Sequence, residues 1–217
     1  MGGVSTPVRE LLVLSDEALR DCITQTAAQR YGRWRYALGL DAFSGGVGMD
    51  FGCGTGVEGL QLALGGMRVC SADINSANLA CAARVTAVFG VAHRLAGLRV
   101  VRDTAPFWIP LHEPLDLWLA SGVVHHIPYA RELMAWVAGQ MRPGGEARLL
   151  LYSDRNFAFY GNDWERFVRG MDPVGEYADW YDRDKLSALV VPLWRVVDFE
   201  YLPPPLDYAV ARLVRAS

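Results

Sequence analysis

The sequence predicts an α/β fold in which a mostly parallel, doubly wound sheet has helices on both faces and ends in an antiparallel hairpin. Short apolar stretches alternate with helical stretches of about ten residues through the middle of the chain, which is the pattern of a parallel sheet. A glycine-rich turn follows the first of these strands. The last two apolar stretches, 193–201 and 208–214, are joined by a short proline-rich link, and a link this short suits antiparallel pairing.

The individual elements follow from the apolar runs and from the residues that end them. Strands are predicted up to Asp50, over 67–73 up to Asp73, and over 98–102, 115–120 and 146–152. Helices are predicted over 57–64, 75–89 and 130–141, with glycines after the first two as C-terminal caps. The segment 142–145 is expected to be a sharp stop before the last parallel strand. Near the start of the chain, Ser15 is expected to cap a helix that runs towards Tyr31, and a second helical stretch covers 34–40.

The composition limits the classes of function. At 217 residues the chain fits one large domain or one domain with a lid, and an apolar fraction of 52% with seven tryptophans can build a core. The net charge of −3 and the absence of a Lys/Arg cluster argue against nucleic-acid binding. No apolar run reaches the roughly 18 residues of a membrane span, and residues 1–10 lack the pattern of a signal peptide. We therefore expect a cytoplasmic protein, a monomer or homodimer, with no membrane or nucleic-acid partner.

The four cysteines, Cys22, Cys53, Cys70 and Cys81, contain no CxxC pair and have no histidine at metal-ligand spacing. We expect them to be small buried residues in a reducing compartment, and we expect no metal site. Cys53 lies in the glycine turn, where a small side chain is the expected requirement and a catalytic thiolate is not expected.

The most informative segment is 47–56, an apolar strand that ends in Asp50 and is followed by Gly52, Gly54 and Gly56. Glycines let the backbone approach a ligand closely, and a carboxylate at the end of the next strand can hold ribose hydroxyls. Residues 54–59 also match the dinucleotide pattern GxGxxG. Asp50 argues against a dinucleotide, because a carboxylate would repel the pyrophosphate, whereas a cationic amino-acid ligand would be attracted. A tight strand-to-helix turn without a ligand is the remaining interpretation.

The run acid-x-Gly-x-Gly-x-Gly at these positions resembles motif I of the class I S-adenosylmethionine-dependent methyltransferases, and the resemblance covers roughly 46–214. It implies S-adenosylmethionine as the cofactor, with Asp50 near its methionine part and the turn, including Cys53, beneath it. It also implies a Rossmann-like, seven-stranded sheet with a C-terminal antiparallel hairpin and a helical lid. The domain organisation would then be an N-terminal helical cap over 1–45 and a cofactor-binding domain over 46–217, with an aromatic lid insertion near 156–181.

Asp73 ends the second predicted strand, where ligands bind in open α/β sheets. Its two oxygens can accept both ribose hydroxyls, and the resemblance implies that Ile74 packs against adenine. The alternative is that Asp73 caps the helix beginning near Asn75, and both roles can hold together. After the third strand, Asp103 and Thr104 are implied to contact the adenine amino group, although both are also ordinary turn residues.

The loop after the fourth strand contains Ser121, His125 and His126. It is similar to the LHHI/L segment of many small-molecule methyltransferases, with Val124 in place of leucine, and the chain lacks the Asn/Asp-Pro-Pro-Tyr loop of nucleic-acid and protein amide methylators. Ser121 is assigned to the cofactor site. Methyl transfer from a sulfonium is an in-line displacement, and a base helps when the nucleophile is a hydroxyl or a protonated amine. His126 is the first candidate base and His125 the second; alternatively, both only hydrogen-bond backbone at the strand end.

The segment 156–181 is dense in aromatic residues. By resemblance it covers the acceptor pocket together with the N-terminal helices, and the candidate acceptor contacts are Phe157, Tyr160, Trp164 and, from the N-terminal side, Tyr31. An apolar aromatic pocket suits a small organic acceptor. The alternative is that most of these aromatic residues pack a lid helix onto the sheet.

Together these residues predict S-adenosylmethionine-dependent methyl transfer to an oxygen or nitrogen atom of a small organic acceptor, with biosynthesis as the setting. Two other classes stay open: a non-catalytic subunit that binds the cofactor, and a nicotinamide-dependent oxidoreductase. The intact motif residues argue against the first, and Asp50 with the terminal hairpin argues against the second.

Overall fold

The computed structural model of the chain describes residues 6–30, 36–101, 111, 113–171, 177–204 and 206–216. Three of the predicted site residues, Tyr31, Asp103 and Thr104, lie outside the described residues. The chain divides into two compact units, Met1–Val101 and Arg102–Ser217. The predicted domain boundary at residue 45 is a different division and stays a prediction. Among the described helices, none combines the length and apolar character needed to cross a membrane.

The first unit begins with short helices and continues with alternating strands and helices. Its helices are α1 (Val8–Leu11), α2 (Asp16–Arg30), α3 (Tyr36–Leu38), α4 (Val57–Leu64) and α5 (Ser76–Val88), and its strands are β1 (Val47–Phe51), β2 (Arg68–Asp73) and β3 (Leu95–Val100). Both β1 and β3 pair with β2 in parallel. Ser15 precedes α2 as predicted, and its hydroxyl accepts a hydrogen bond from the Ala18 amide at 3.2 Å.

The second unit carries the lid helices and the terminal hairpin. Its helices are α6 (Ala130–Gln140), α7 (Asp154–Phe159), α8 (Trp164–Met171) and α9 (Arg183–Val190), and its strands are β4 (Leu115–Ser121), β5 (Met141–Leu151), β6 (Trp194–Tyr201) and β7 (Ala209–Arg215). β4 and β5 are parallel, whereas β7 is antiparallel to both β5 and β6. Helix α9 has no counterpart among the predicted elements, although its N-cap, Asp182, accepts from the Lys185 amide in the usual way.

The seven strands form one sheet in the order β3-β2-β1-β4-β5-β7-β6. Helices connect β1 to β2, β2 to β3 and β4 to β5, and the last two strands form the antiparallel hairpin, so the predicted Rossmann-like fold class is confirmed. All five residues of β1 are buried, as are the last five of β2. Continuous burial of this kind is expected where helices cover both faces of a parallel sheet.

Two of the predicted strand boundaries are wrong. β3 begins at Leu95 rather than at residue 98. β5 begins at Met141 and includes 142–145, which we predicted as a stop between helix and strand. Leu115 pairs with Met141 and Leu117 with Glu146, so the extra residues form an irregularity within the strand rather than a separate turn.

The arginine Arg84 anchors the N-terminal segment to α5. Its guanidinium donates to the carbonyls of Leu11 at 3.0 Å, Leu12 at 2.7 Å and Leu14, and it pairs with Asp16 at 3.2 Å. A guanidinium has five N–H donors in a fixed plane, so one side chain satisfies the carbonyls at the end of α1. The N-terminal helices are thereby attached to the helix that begins just after Asp73.

Candidate functional site

The glycine turn joins β1 to α4 in a conformation that requires glycine. Gly52, Gly54 and Gly56 have φ angles of 70°, 50° and 80°, which residues with a Cβ rarely adopt. A Cβ at Gly54 would have no atom within 4 Å, whereas a Cβ at Gly56 would lie 2.7 Å from Ala82. Gly54 therefore leaves open space beside the turn, and Gly56 allows the turn to pack closely on α5.

Asp50, at the end of β1, is bound to the start of α4. Its Oδ2 accepts a hydrogen bond from the Gly59 amide at 2.9 Å, and a Cβ at Gly59 would lie 2.9 Å from the same oxygen. The third glycine of the GxGxxG pattern is thus explained by the close approach of this carboxylate. Asp50 is 2% exposed. Its predicted contact with the methionine part of the cofactor stays a prediction.

Asp73 links the glycine turn to the start of α5. Its Oδ2 accepts from the Gly54 amide at 2.9 Å, and its Oδ1 accepts from the Asn75 amide at 2.8 Å and from the Asn78 side-chain amide at 3.0 Å. The N-cap of α5 is Asn75, whose side chain accepts from the Ala77 amide, so the alternative that Asp73 itself caps this helix is wrong. A carboxylate oxygen offers two acceptor positions. Among the described residues, these bonds fill Oδ1 and leave one position on Oδ2.

Ile74 and Thr55 present two kinds of surface for a ligand. Ile74 follows Asp73 and is 66% exposed, which is high for an isoleucine and fits a residue that a ligand ring would cover. Thr55 lies between Gly54 and Gly56, and its Oγ1 is buried without a hydrogen-bond partner among the described residues. A buried hydroxyl without a partner calls for an explanation such as a ligand. We did not single out Thr55 in the sequence, where its position between the glycines is the available signal.

Cys53 is buried in the turn as predicted. Its amide, like that of Gly52, donates to the Ala72 carbonyl, and its side chain packs with Leu79 and Ala82. Burial, with a smaller effect from Asp50, raises the pKa of the Cys53 thiol. The thiol is therefore protonated at neutral pH and is unsuited to act as a nucleophile. No cluster of three metal-binding side chains occurs in the part of the chain that the structure describes.

Taken together, the turn and its neighbours fit a nucleoside ligand. Open space lies beside the left-handed Gly54, an acceptor position remains on Asp73, an apolar side chain is exposed at Ile74, and the Thr55 hydroxyl lacks a partner. A ribose needs hydrogen-bond acceptors and an adenine needs an apolar face. The residues of the first unit supply both.

The histidine loop follows β4 in the second unit. Ser121 is the last residue of β4 and is half-buried, and Gly122 has a φ of 77°. The Gly122 amide donates to the Leu150 carbonyl at 3.0 Å, which holds the start of the loop beside β5. Ser121 thus lies at the carboxyl end of a parallel strand, and its assignment to the cofactor site stays a prediction.

His125 is a buried, neutral histidine. Its ring stacks on Tyr152 with 3.6 Å between centroids, and its Nδ1 lies 3.0 Å from the Tyr152 amide, which can only donate. The ring proton must therefore be on Nε2, which is buried without a partner among the described residues. Burial, followed by the neighbouring His126, lowers the pKa of His125 well below its ordinary value. These contacts make His125 unsuited to accept a proton, and they match the alternative of a histidine that hydrogen-bonds backbone.

His126 is half-buried, and its Nδ1 meets a hydrogen-bond acceptor where that of His125 meets a donor. Its Nδ1 lies 3.4 Å from the Tyr177 carbonyl, a long hydrogen bond in which only the ring nitrogen can donate. This hydrogen bond favours the tautomer that carries its proton on Nδ1. Of the two candidate bases, the geometry favours His126.

The aromatic residues of the lid pack around Phe167, which is fully buried in α8. Phe157, Tyr160 and Trp164 place their ring centroids 5.5, 6.1 and 6.1 Å from it. Phe157 also stacks on Trp180 at 5.2 Å. The alternative that most of these aromatics pack the lid helices is therefore well supported. Trp164 still exposes 43% of its surface, so one edge of the cluster is accessible.

The comparisons with known proteins agree with this geometry. Residues 49–147 match the family model of a methyltransferase domain. The matched range begins in β1 and ends in β5, and it includes the glycine turn, Asp73 and both histidines. No curated protein matches the sequence significantly.

Solved structures share the fold at low sequence identity. The N-methyltransferase NodS from Bradyrhizobium japonicum WM9, in complex with S-adenosyl-L-homocysteine, is 14% identical with a TM-score of 0.60, and the match covers 97% of each chain. Magnesium protoporphyrin IX methyltransferase from Synechocystis PCC 6803, with bound S-adenosylmethionine, is 16% identical with a TM-score of 0.59 and coverage of 88% of this chain and 79% of that chain. The [4+2]-cyclase SpnF is 16% identical with a TM-score of 0.63 and coverage of 83% and 80%. At these identities the likeness shows the fold, and a fold does not by itself determine a reaction.

Proposed function

We propose that the chain, of which residues 49–147 match the family model of a methyltransferase domain, uses S-adenosylmethionine to methylate an oxygen or nitrogen atom of a small organic acceptor, with His126 as the base. The domain match supports methyl transfer in general. The choice of acceptor class and of base rests on the residues of the second unit.

The cofactor is proposed to bind at the glycine turn. Gly52, Cys53, Gly54 and Gly56 would supply backbone at close approach, with Asp50 beneath the turn. Asp73 would accept a ribose hydroxyl, and Ile74 and Ser121 would contribute further contacts. To these we add Thr55, whose buried hydroxyl lacks a partner among the described residues. When bound, S-adenosylmethionine supplies an activated methyl group.

The observation that supports the base assignment is the 3.4 Å contact between His126 Nδ1 and the Tyr177 carbonyl. The Tyr177 carbonyl accepts from Nδ1, which directs the basic Nε2 away from the bond that holds the ring. An acceptor hydroxyl would lose its proton to Nε2 as its oxygen bonds to the methyl carbon and the methyl–sulfur bond breaks. A protonated amine would lose its proton to Nε2 first, so that the neutral nitrogen has a lone pair for the same displacement. His125 would hold the histidine loop in place, because its Nδ1 accepts a hydrogen bond from the Tyr152 amide.

A small apolar acceptor is supported by the aromatic cluster of the lid. Trp164 contacts Tyr177 at 6.0 Å between centroids, so the accessible edge of the cluster adjoins the residue whose carbonyl holds His126. Phe157 and Tyr160 would act mainly by supporting this edge through Phe167. An aromatic wall with few polar groups selects for planar or apolar molecules.

The cofactor is tested by calorimetric titration with S-adenosylhomocysteine, with NADH as the control. We expect micromolar binding of S-adenosylhomocysteine and no binding of NADH. Binding of NADH alone would sink the proposal and favour an oxidoreductase. Screening of hydroxylated and amino aromatic compounds, with S-adenosylhomocysteine release as the signal, then identifies the acceptor class.

The base is tested by replacing each histidine in turn. General acid–base catalysis contributes about 10²- to 10⁴-fold in rate, so His126→Ala should lower kcat by at least about 100-fold while S-adenosylhomocysteine binds unchanged. His125→Asn is the matched control, since the Asn side-chain oxygen can replace Nδ1 as the acceptor for the Tyr152 amide. Wild-type turnover in His126→Ala would remove His126 as the base.

A further inference from the structure

The segment Tyr177–Asp182 holds both the histidine loop and the end of β5 by backbone hydrogen bonds. The Asp179 amide donates to the His125 carbonyl at 2.7 Å, and the Tyr181 amide donates to the Tyr152 carbonyl at 2.9 Å. The Tyr177 carbonyl accepts from His126 Nδ1. We call these residues the 177–182 segment. The segment therefore sets the position of the Tyr177 carbonyl, which accepts from His126 Nδ1.

One side chain from α9 anchors the 177–182 segment. Lys185 Nζ lies 2.5 Å from Asp179 Oδ1 and 4.1 Å from the centroid of the Trp180 ring. The Asp179 side chain is 15% exposed and that of Lys185 is 36% exposed. An ion pair that is partly shielded and also stacked on an aromatic ring holds its geometry better than an exposed pair.

We propose that Lys185 is a positioning residue whose ion pair with Asp179 holds the 177–182 segment, so that the Tyr177 carbonyl keeps the ring proton of His126 on Nδ1. This inference rests on the proposed function, in which Nε2 of His126 accepts the proton of the methyl acceptor. Lys185 itself does not contact the reacting atoms. Without the pair, Asp179 loses its cationic partner, and the segment keeps the backbone hydrogen bonds of Asp179 and Tyr181. The Tyr177 carbonyl, two residues from Asp179, is then held less firmly against the ring.

The two carboxylate oxygens of Asp179 explain why the pair matters to this particular carbonyl. Oδ1 accepts from Lys185 and from the Trp180 amide, and Oδ2 accepts from the Tyr177 hydroxyl at 3.5 Å. The Tyr177 hydroxyl is thus bound to Asp179, whereas its carbonyl is bound to His126 in the histidine loop. A histidine whose tautomer is wrong is a poor base even when its position is correct, so the effect on turnover can exceed the effect on stability.

The test reads the tautomer directly from ¹⁵N chemical shifts of the histidine rings, which differ between an N–H nitrogen and a bare one. Spectra of ¹⁵N-histidine-labelled protein would be recorded at about pH 8, where an ordinary imidazole is neutral. Signals of His126 are assigned by their loss in His126→Asn. In the wild type we expect His126 with its proton on Nδ1 and His125 with its proton on Nε2.

In Lys185→Met we expect His126 to show a mixture of tautomers while His125 is unchanged. Turnover of the acceptor found by screening should fall by about 10-fold or more, with its KM and the affinity for S-adenosylhomocysteine retained. Lys185→Arg, which keeps the charge, should show the wild-type tautomer of His126 and the wild-type turnover. Arg166→Met is the matched control, because it removes an exposed ion pair with Asp163 in the same lid and should leave the His126 signals as they are.

A second variant keeps the test decisive if Lys185→Met folds poorly. Asp179→Asn removes the pair from the other side and should give the same mixture of His126 tautomers. If both variants fold and His126 keeps its proton on Nδ1, the role of Lys185 is disproved even though the proposed function stands. If His126→Ala retains wild-type turnover, the proposed base is lost, and the spectra still decide whether Lys185 sets the tautomer.

Discussion

His125 and His126 are neighbours in the chain, and their Nδ1 atoms meet opposite kinds of backbone group. The Tyr152 amide donates to Nδ1 of His125, whereas Nδ1 of His126 donates to the Tyr177 carbonyl. The ring centroids are 4.4 Å apart, yet one ring is part of the core and the other is half-buried. One histidine therefore supports the loop, and the other is the candidate for proton transfer.

His125 should make the stability of the protein depend on pH. Burial keeps its pKa well below the ordinary value of 6.5, so below that pH the unfolded chain binds a proton that the folded protein excludes. The free energy of unfolding should thus fall as the pH drops below 6.5, by up to about 1.4 kcal/mol per pH unit for one proton. Urea unfolding between about pH 5 and pH 8 measures this pH dependence of the free energy of unfolding.

His125→Asn removes this titrating group and is the comparison for that measurement. The variant should be less stable at neutral pH because the stacking on Tyr152 is reduced, but its stability should change less between pH 6.5 and pH 5. Equal pH dependence in the wild type and the variant would show that His125 is not held neutral by burial.

Asp73→Ala should weaken cofactor binding and also loosen the glycine turn. Loss of a charge-assisted hydrogen bond to ribose should lower the affinity for S-adenosylhomocysteine by about 10- to 100-fold. The amides of Gly54 and Asn75 also lose their acceptor, so the free energy of unfolding should fall by about 1–3 kcal/mol. Calorimetric titration and urea unfolding measure the two effects.

Asn78→Ala is the control that separates these two roles. It removes one of the three donors to Asp73 and leaves the carboxylate in place. We expect its affinity for S-adenosylhomocysteine to stay within about threefold of the wild type. The same loss of affinity in both variants would mean that Asp73 only positions the turn.

Gly59→Ala should destabilise the protein because the new Cβ would lie 2.9 Å from Asp50 Oδ2. Asp50 is buried and its Oδ2 accepts from the Gly59 amide, so we expect a loss of about 1–3 kcal/mol in the free energy of unfolding. Gly139→Ala in α6 is the control, since no atom lies within 4 Å of its added Cβ. That change should stabilise the helix by about 0.5–1 kcal/mol. A loss of stability in Gly139→Ala would contradict the explanation that close approach of the new Cβ destabilises Gly59→Ala.

Much of the fold could be predicted because it depends on local patterns. Gly52, Gly54 and Gly56 mark a turn whose left-handed backbone favours glycine, and the alternation of strands and helices predicts a parallel sheet. The proline-rich link before β7 predicts the hairpin. The start of β5 was missed because Arg-Pro-Gly-Gly ordinarily ends an element, whereas here the pairing of Leu115 with Met141 continues the strand through it.

What the sequence by itself determined is the backbone of the cofactor turn and the carboxylates at the ends of β1 and β2, since chain geometry and strand period act over a few residues. What only the tertiary structure decided is the division of backbone partners between His125 and His126. That division depends on Tyr152 and on Tyr177, which lie 27 and 51 residues away in the chain. A ring nitrogen takes its role from whichever backbone group it meets, and that meeting is set by the packing of β5 and the 177–182 segment.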